Sequence, residues 1–153
     1  MSWIWPSRAS YAEISVEGNA VETTISSADA YVQVTVFDTD DLSSNMTPDH
    51  TNDHITIDEA GVYFVVATAS VFSGTGSAAI FSFEIKSNNG TVAHTNIHSD
   101  RQLSGGGGDA GSVTMAGITA FAVNDTVEFW ILNQTNTVNL VIEDASLSVV
   151  RLK

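Results

Sequence analysis

The amino-acid sequence predicts an all-β protein, an antiparallel β-sandwich of about ten strands. Three observations support this class. β-Branched residues dominate the apolar set, while strong helix formers are few. Short segments in which apolar and polar residues alternate recur along the whole chain, with turn-forming residues between them. Helical patterns do not separate successive strands, so a βαβ architecture is not expected.

The predicted strands follow one another in order, with short turns between most of them. In the first strand, Ala12, Ile14 and Val16 alternate with polar residues, which is typical of a strand with one buried face. Two segments are predicted loops: 38–53 is polar, acidic and contains a proline, and 101–111 contains four successive glycines. The predicted strands are 11–18, 20–27, 31–37, 54–58, 61–73, 78–90, 91–99, 112–123, 127–134 and 138–152.

Composition bounds the possible functions. The 153 residues have the size of one domain, and we predict a jelly-roll domain over 11–153 after an N-terminal arm at 1–10. A net charge of −13 repels phosphate, so we expect neither a nucleic-acid partner nor docking on an anionic membrane. The absence of cysteine excludes disulfides, thiolate metal sites and a cysteine nucleophile. The chain carries no run of 18 apolar residues and does not begin like a signal peptide, so we expect no membrane span and no standard export.

Candidate ligand clusters are few, and each has a simpler interpretation as solvated polar residues. His50 and His54 lie beside two aspartates, but in a predicted loop and not on a helix that would bring them together. His94 and His98 fall on one strand, about 13 Å apart, so they cannot share an ion within one chain.

The acidic and glycine-rich segments give no stronger evidence of a ligand site. The aspartates of FDTDD, at 37–41, lack the spacing and the terminal glutamate of a calcium loop. The glycine run at 105–108 lacks the lysine and the helix of a phosphate-binding loop, and no G-x-S-x-G elbow is present. We therefore predict no catalytic residue, no metal site and no cofactor, and we do not expect an enzyme.

The C-terminal part of the chain carries four motifs in a fixed order. They are I-T-I-x-E-x-G-V-Y-F-V at 55–65, Lys-Ser-Asn-Asn-Gly at 86–90, G-I-T-A-F-A-V-N-D-T-V-E-F-W at 117–130 and A-S-L-S-V-V-R-L at 145–152. This order resembles the jelly roll of TNF-like cytokines and of the globular heads of complement and collagen-associated proteins, over roughly residues 28–152. The chain departs from that family in having Asn124–Asp125 where Gly-Asp is frequent, and in lacking a collagen-like stalk. Small, stalkless, cysteine-free forms of this jelly roll look like components of bacteriophage particles.

The resemblance implies a homotrimer, and the uncharged strand 61–73 agrees with it. Both parities of that strand are apolar, so one set of side chains can fill the core while the other needs a second apolar partner. Loops or the N-terminal segment covering that face within one chain are the alternative. The residues that we predict at the trimer interface are Tyr63, Val65, Ala67, Phe129 and Trp130.

The N-terminal arm completes the functional hypothesis. Trp3, Ile4 and Trp5 are large apolar residues near a chain end, where we expect them to insert into a partner or to pack on the sandwich or a trimer neighbour. Together with the resemblance, they predict a structural virion protein: a trimeric decoration or cement protein that binds the major capsid protein, or another virion protein, on the outer capsid surface. The alternative is a receptor- or glycan-binding head, of a phage tail or a secreted trimeric lectin-like protein, with the loops 38–53 and 101–111 as its binding edges.

Overall fold

The computed structural model describes residues 9–73, 77–105 and 109–153. In these ranges the chain forms two antiparallel six-stranded sheets, which we call sheet A and sheet B. The strands are β1 (Tyr11–Val16), β2 (Glu22–Thr23), β3 (Val32–Gln33), β4 (Thr39–Asp40), β5 (Thr47–Asp49), β6 (His54–Thr56), β7 (Gly61–Phe72), β8 (Ala79–Ser87), β9 (Val92–Leu103), β10 (Ala110–Phe121), β11 (Thr126–Asn133) and β12 (Leu140–Arg151).

Neighbouring strands in each sheet are mostly not consecutive in sequence, which is the topology of a jelly roll. Sheet A has the order β10-β7-β12-β1-β4, and β2 also pairs with β12. Sheet B has the order β5-β6-β11-β8-β9, and β3 also pairs with β11. The predicted all-β sandwich is therefore confirmed. A short 3₁₀ turn, His50–Asn52, connects β5 to β6, and no helix in the described ranges is long and apolar enough to cross a membrane.

The core lies between the two sheets and is filled by alternate residues of the long strands. Phe83 and Phe129 of sheet B pack with ring centroids 6.1 Å apart, and Tyr63 and Phe121 of sheet A with centroids 5.7 Å apart. Each of these rings is almost completely removed from solvent, so they supply much of the burial free energy of the domain.

The predicted strand boundaries are accurate for the long strands and less accurate for the short ones. The predicted strands 20–27 and 31–37 shrink to the two-residue β2 and β3. The predicted loop 38–53 contains the short β4 and β5, and the predicted loop 101–111 is narrower because β9 continues to Leu103.

The predicted Asn-Asn-Gly hairpin joins β8 to β9. Its residues Asn88, Asn89 and Gly90 all have positive φ, at 59°, 56° and 73°, which asparagine and glycine adopt more readily than other residues. Trp3, Ile4 and Trp5 of the predicted arm lie outside the described residues, as does most of the glycine run.

Candidate interaction surface

The outward face of sheet A carries a row of large apolar side chains on four adjacent strands. Ile118 on β10 pairs with Phe64 on β7, Phe64 pairs with Val150 on β12, and Val150 pairs with Tyr11 on β1. Their side chains point away from the core and are 55, 37, 42 and 37% exposed, in that order. A contiguous row of this kind differs from the isolated apolar residues that are normal on protein surfaces.

Neighbouring residues widen this row into what we call the apolar face. Val62 and Leu152 extend it on one side, where Val62 O accepts a hydrogen bond from Leu152 N at 2.8 Å. Val66 and Ala116, paired across β7 and β10, extend it on the other. Leu42, in the loop after β4, is 81% exposed and helps to line a cavity of about 360 Å³ beside Tyr11 and Val150.

The opposite end of the same sheet face is polar and made of small side chains. Ser70, Thr68 and Ser146 occupy the rows beyond Val66, and the hydroxyls of Thr68 and Ser146 are 3.1 Å apart. A shallow cavity of about 300 Å³ lies over them beside Asp144, whose Oδ1 accepts the Gly18 N–H at 3.0 Å. The face thus changes from large apolar to small hydroxyl residues along the strand direction.

This geometry corrects the predicted interface on β7. Tyr63, Val65 and Ala67 have no exposed surface because they point between the two sheets, and Phe129 on β11 is likewise completely buried. The parity that we assigned to the interface belongs to the core, and the parity of Phe64 faces outward. Both parities are apolar, so composition alone could not decide which one faces the core.

Trp130, the fifth predicted interface residue, lies on the outer face of sheet B. Its indole Nε1 donates to Glu128 Oε2 at 2.8 Å, and its ring covers Gly90. Trp130 is therefore remote from the apolar face of sheet A and shields a buried carboxylate of its own chain. Nothing in the sequence pattern of β11 distinguishes these two roles.

The outer face of sheet B carries a network of polar side chains. Lys86 Nζ lies 3.3 Å from Glu84 Oε2 and 4.0 Å above the centre of the Tyr31 ring. Burial, together with the negative charge of Glu84, raises the pKa of Tyr31 to about 12. Ser82 Oγ donates to Asp100 Oδ1 at 2.5 Å on the same face. Because these groups satisfy one another, the network stabilises the sheet and leaves few polar atoms for a ligand.

His94 and His98, which the sequence singled out on one strand, lie in different environments, whereas His50 and His54 lie beside Asp40 and Asp49 at one turn. His94 is buried, with Nε2 3.1 Å from Ser87 Oγ and Nδ1 3.1 Å from Thr119 Oγ1, whereas His98 is exposed beside Asp100. Throughout 9–73, 77–105 and 109–153, no group of three or more His, Asp or Glu side chains could hold a metal ion.

Two antiparallel sheets with this strand order define the class of the domain as a TNF-like jelly roll. Comparison with solved structures supports it: the chain is similar to the Eiger TNF of S. frugiperda, with a TM-score of 0.66 over 95% of this chain and 93% of that one. The two sequences are 15% identical, so the likeness shows a shared fold. No family model and no curated protein sequence matches the chain.

Proposed function

We propose that this chain is a non-enzymatic binding protein that works as a homotrimer, held together through the apolar face of sheet A. The observation that carries the proposal is the row of Ile118, Phe64, Val150 and Tyr11. Fully burying a side chain of this size stabilises an assembly by about 1.5–3 kcal/mol, so such a row favours self-association. The rows around Phe64 carry charge only at one margin, where Glu13 lies beside Asp41, although the chain has a net charge of −13.

The absence of catalysis in this proposal is supported by how the two buried glutamates of sheet B are used. Glu128 accepts four hydrogen bonds from its own chain, and Glu84 is paired with Lys86. A general acid or base needs a free position for a reacting group. These carboxylates have their positions filled by structural donors.

The biological role that we propose for the trimer is decoration of a virion. A compact, acidic domain is suited to the outer surface of a capsid, where three copies presenting Trp3, Ile4 and Trp5 would bind with combined avidity. The partner in this proposal is the major capsid protein or another virion protein. The function consists of binding, without a chemical reaction.

Sedimentation equilibrium of the untagged protein tests the assembly. We expect a species of three times the 16.2 kDa of one chain, and a shift to monomer for Phe64→Lys and Ile118→Lys. Val92→Lys is the matched control, because Val92 is 45% exposed on β9, in sheet B. A wild-type monomer at all concentrations, or equal dissociation by Val92→Lys, would overturn the assembly proposal.

Co-sedimentation with purified capsids tests the role of the trimer. We expect the trimer to bind, and deletion of residues 1–7 to abolish attachment while leaving the trimer intact. If the undeleted trimer fails to bind capsids, and shows glycan binding that survives the deletion and is lost when the 101–111 loop is changed, the receptor-binding alternative replaces the decoration proposal.

A further inference from the structure

At the side of the sandwich where β4 meets the β5–β6 hairpin, one carboxylate connects the two sheets. Asp40, on β4 of sheet A, accepts the His50 N–H at Oδ1, at 2.7 Å. Its Oδ2 lies 3.0 Å from the ring Nδ1 of the same histidine. His50 begins the 3₁₀ turn between two strands of sheet B, so this contact fastens one sheet edge to the other.

A second carboxylate holds the other end of the same turn. Asp53, at the end of the 3₁₀ turn, has left-handed backbone geometry with φ 55°, and its side chain is buried. Its Oδ1 accepts the N–H of Phe37 at 3.0 Å, which ties the chain entering β4 to the hairpin. Burial raises the pKa of Asp53 to about 6, against a hydrogen bond and two nearby histidines that lower it.

A third carboxylate caps the turn. Asp49 accepts the backbone N–H of Asn52 at 3.1 Å and its side-chain amide at 2.7 Å, and its Oδ2 lies 3.9 Å from His54 Nε2. The side-chain hydrogen bond from Asn52 lowers the pKa of Asp49. The hairpin therefore holds the carboxylate of Asp49, whose charged form is favoured, close to the ring of His54.

We propose that these contacts form a proton-operated latch, which fastens β4 and the segment before it to the β5–β6 hairpin in mild acid and loosens as the pH rises. The Asp40–His50 and Asp49–His54 contacts become ion pairs only when the imidazole is protonated, so acid strengthens them. A rise in pH leaves the buried side chain of Asp53 charged between the two segments.

The direction of the pH effect on stability follows from the raised pKa of Asp53. A buried carboxyl whose folded pKa lies above the ordinary 3.8 binds its proton more tightly in the folded state. Its stabilisation is complete below pH 3.8 and is lost as the pH rises through about 6. The charged residues on the neighbouring segments are acidic: Asp38 and Asp41 beside β4, Asp58 after β6 and Glu13 on β1.

Hydrogen–deuterium exchange of the full chain at about pH 5 and about pH 8, with rates corrected for intrinsic exchange, tests the latch. We expect peptides covering 36–52 to be protected about tenfold more at the lower pH. Peptides covering 145–151, in the centre of sheet A, should show no such difference. Equal corrected protection of 36–52 at the two pH values would overturn the proposal.

Three variants separate the latch from a general effect of pH. Asp53→Asn keeps the acceptor oxygen for Phe37 N–H without the charge, so at about pH 8 the segment should be better protected than in the wild type. His50→Gln should reduce the pH dependence, and His98→Gln, at an exposed pair on the opposite edge, should leave it unchanged. Full pH dependence in Asp53→Asn, or its loss in His98→Gln, would contradict the assignment.

Discussion

The buried carboxylate of Glu128 accepts the indole N–H of Trp130 at 2.8 Å, two residues further along β11 on the same outer face of sheet B. The same carboxylate accepts the backbone N–H groups of Asn89 at 2.8 Å and Gly90 at 3.0 Å, and the hydroxyl of Thr126 at 2.5 Å. One acidic residue thus anchors the β8–β9 turn to the strand beside it. The tryptophan that covers it excludes water from these hydrogen bonds.

Replacing Glu128 by alanine should be strongly destabilising. The substitution leaves four donors without an acceptor in a region with little access to water, and we expect the free energy of unfolding to fall by about 3 kcal/mol. Urea denaturation followed by tryptophan fluorescence measures the change. Glu143→Ala, at an exposed position on β12, is the control and should change stability by less than about 0.5 kcal/mol. Equal small effects of the two substitutions would contradict an anchoring role for Glu128.

Gly90 should be far less tolerant of alanine than Gly18, although both have positive φ, at 73° and 68°. A Cβ at Gly90 would lie 2.6 Å from the Trp130 ring, whereas a Cβ at Gly18 would meet nothing within 4 Å. Gly18→Ala therefore carries only the backbone cost of about 1–2 kcal/mol. Gly90→Ala adds displacement of the tryptophan and should cost roughly 1–3 kcal/mol more. Thermal unfolding of both variants measures the difference. Equal losses of stability would show that the Trp130 ring moves without cost.

Much of the architecture could be predicted from the sequence, because alternation and turn chemistry are local signals. The face of β1 that buries Ala12, Ile14 and Val16, and the turn at Asn88–Gly90, are both as expected. The parity of β7 was not predictable, since its orientation is fixed by pairing with β10 and β12. Phe64 and Tyr63 are both large aromatic residues, and only the three-dimensional arrangement shows which one lies in the core.

The buried polar network on the outer face of sheet B could not be predicted from the sequence either. Glu84, Lys86 and Glu128 read as ordinary solvated positions of alternating strands, yet they are largely buried under Tyr31 and Trp130. They are buried by long-range contacts between β3, β8 and β11, which no local sequence pattern predicts. The same holds for the latch residues, which come from β4 and the β5–β6 hairpin of different sheets.

His94 should make the domain less stable in acid. Burial lowers the pKa of His94, and the charges of Asp125 and Glu84 only partly oppose that effect. The unfolded chain takes up the proton first as the pH falls below about 6.5, so folding loses free energy from that pH down to the lowered folded pKa. We expect the wild type to lose stability relative to His94→Gln between about pH 7 and pH 5. Urea unfolding at each pH gives the difference, and parallel pH profiles would contradict a titrating buried imidazole.

Gly117 on β10 should resist substitution because residues of β9 pack directly against it. A Cβ there would lie 2.6 Å from Ile97 Cγ1 and 3.3 Å from the backbone oxygen of Asn96, and the neighbouring Asn96 Nδ2 donates to Ile118 O at 3.1 Å. Since backbone and a buried side chain fill the space, Gly117→Ala must separate the two sheet edges, at a cost of roughly 1–3 kcal/mol.

Gly111→Ala is the matched test on the same strand. Its Cβ would lie 2.6 Å from Arg101 Nε, but a guanidinium is the far end of a flexible side chain and can move aside. We expect a cost below about 1 kcal/mol for Gly111→Ala. Urea denaturation of the two variants compares them directly. If Gly111→Ala proves as costly as Gly117→Ala, the tight contact lies along the whole β9–β10 edge and not at Gly117 alone.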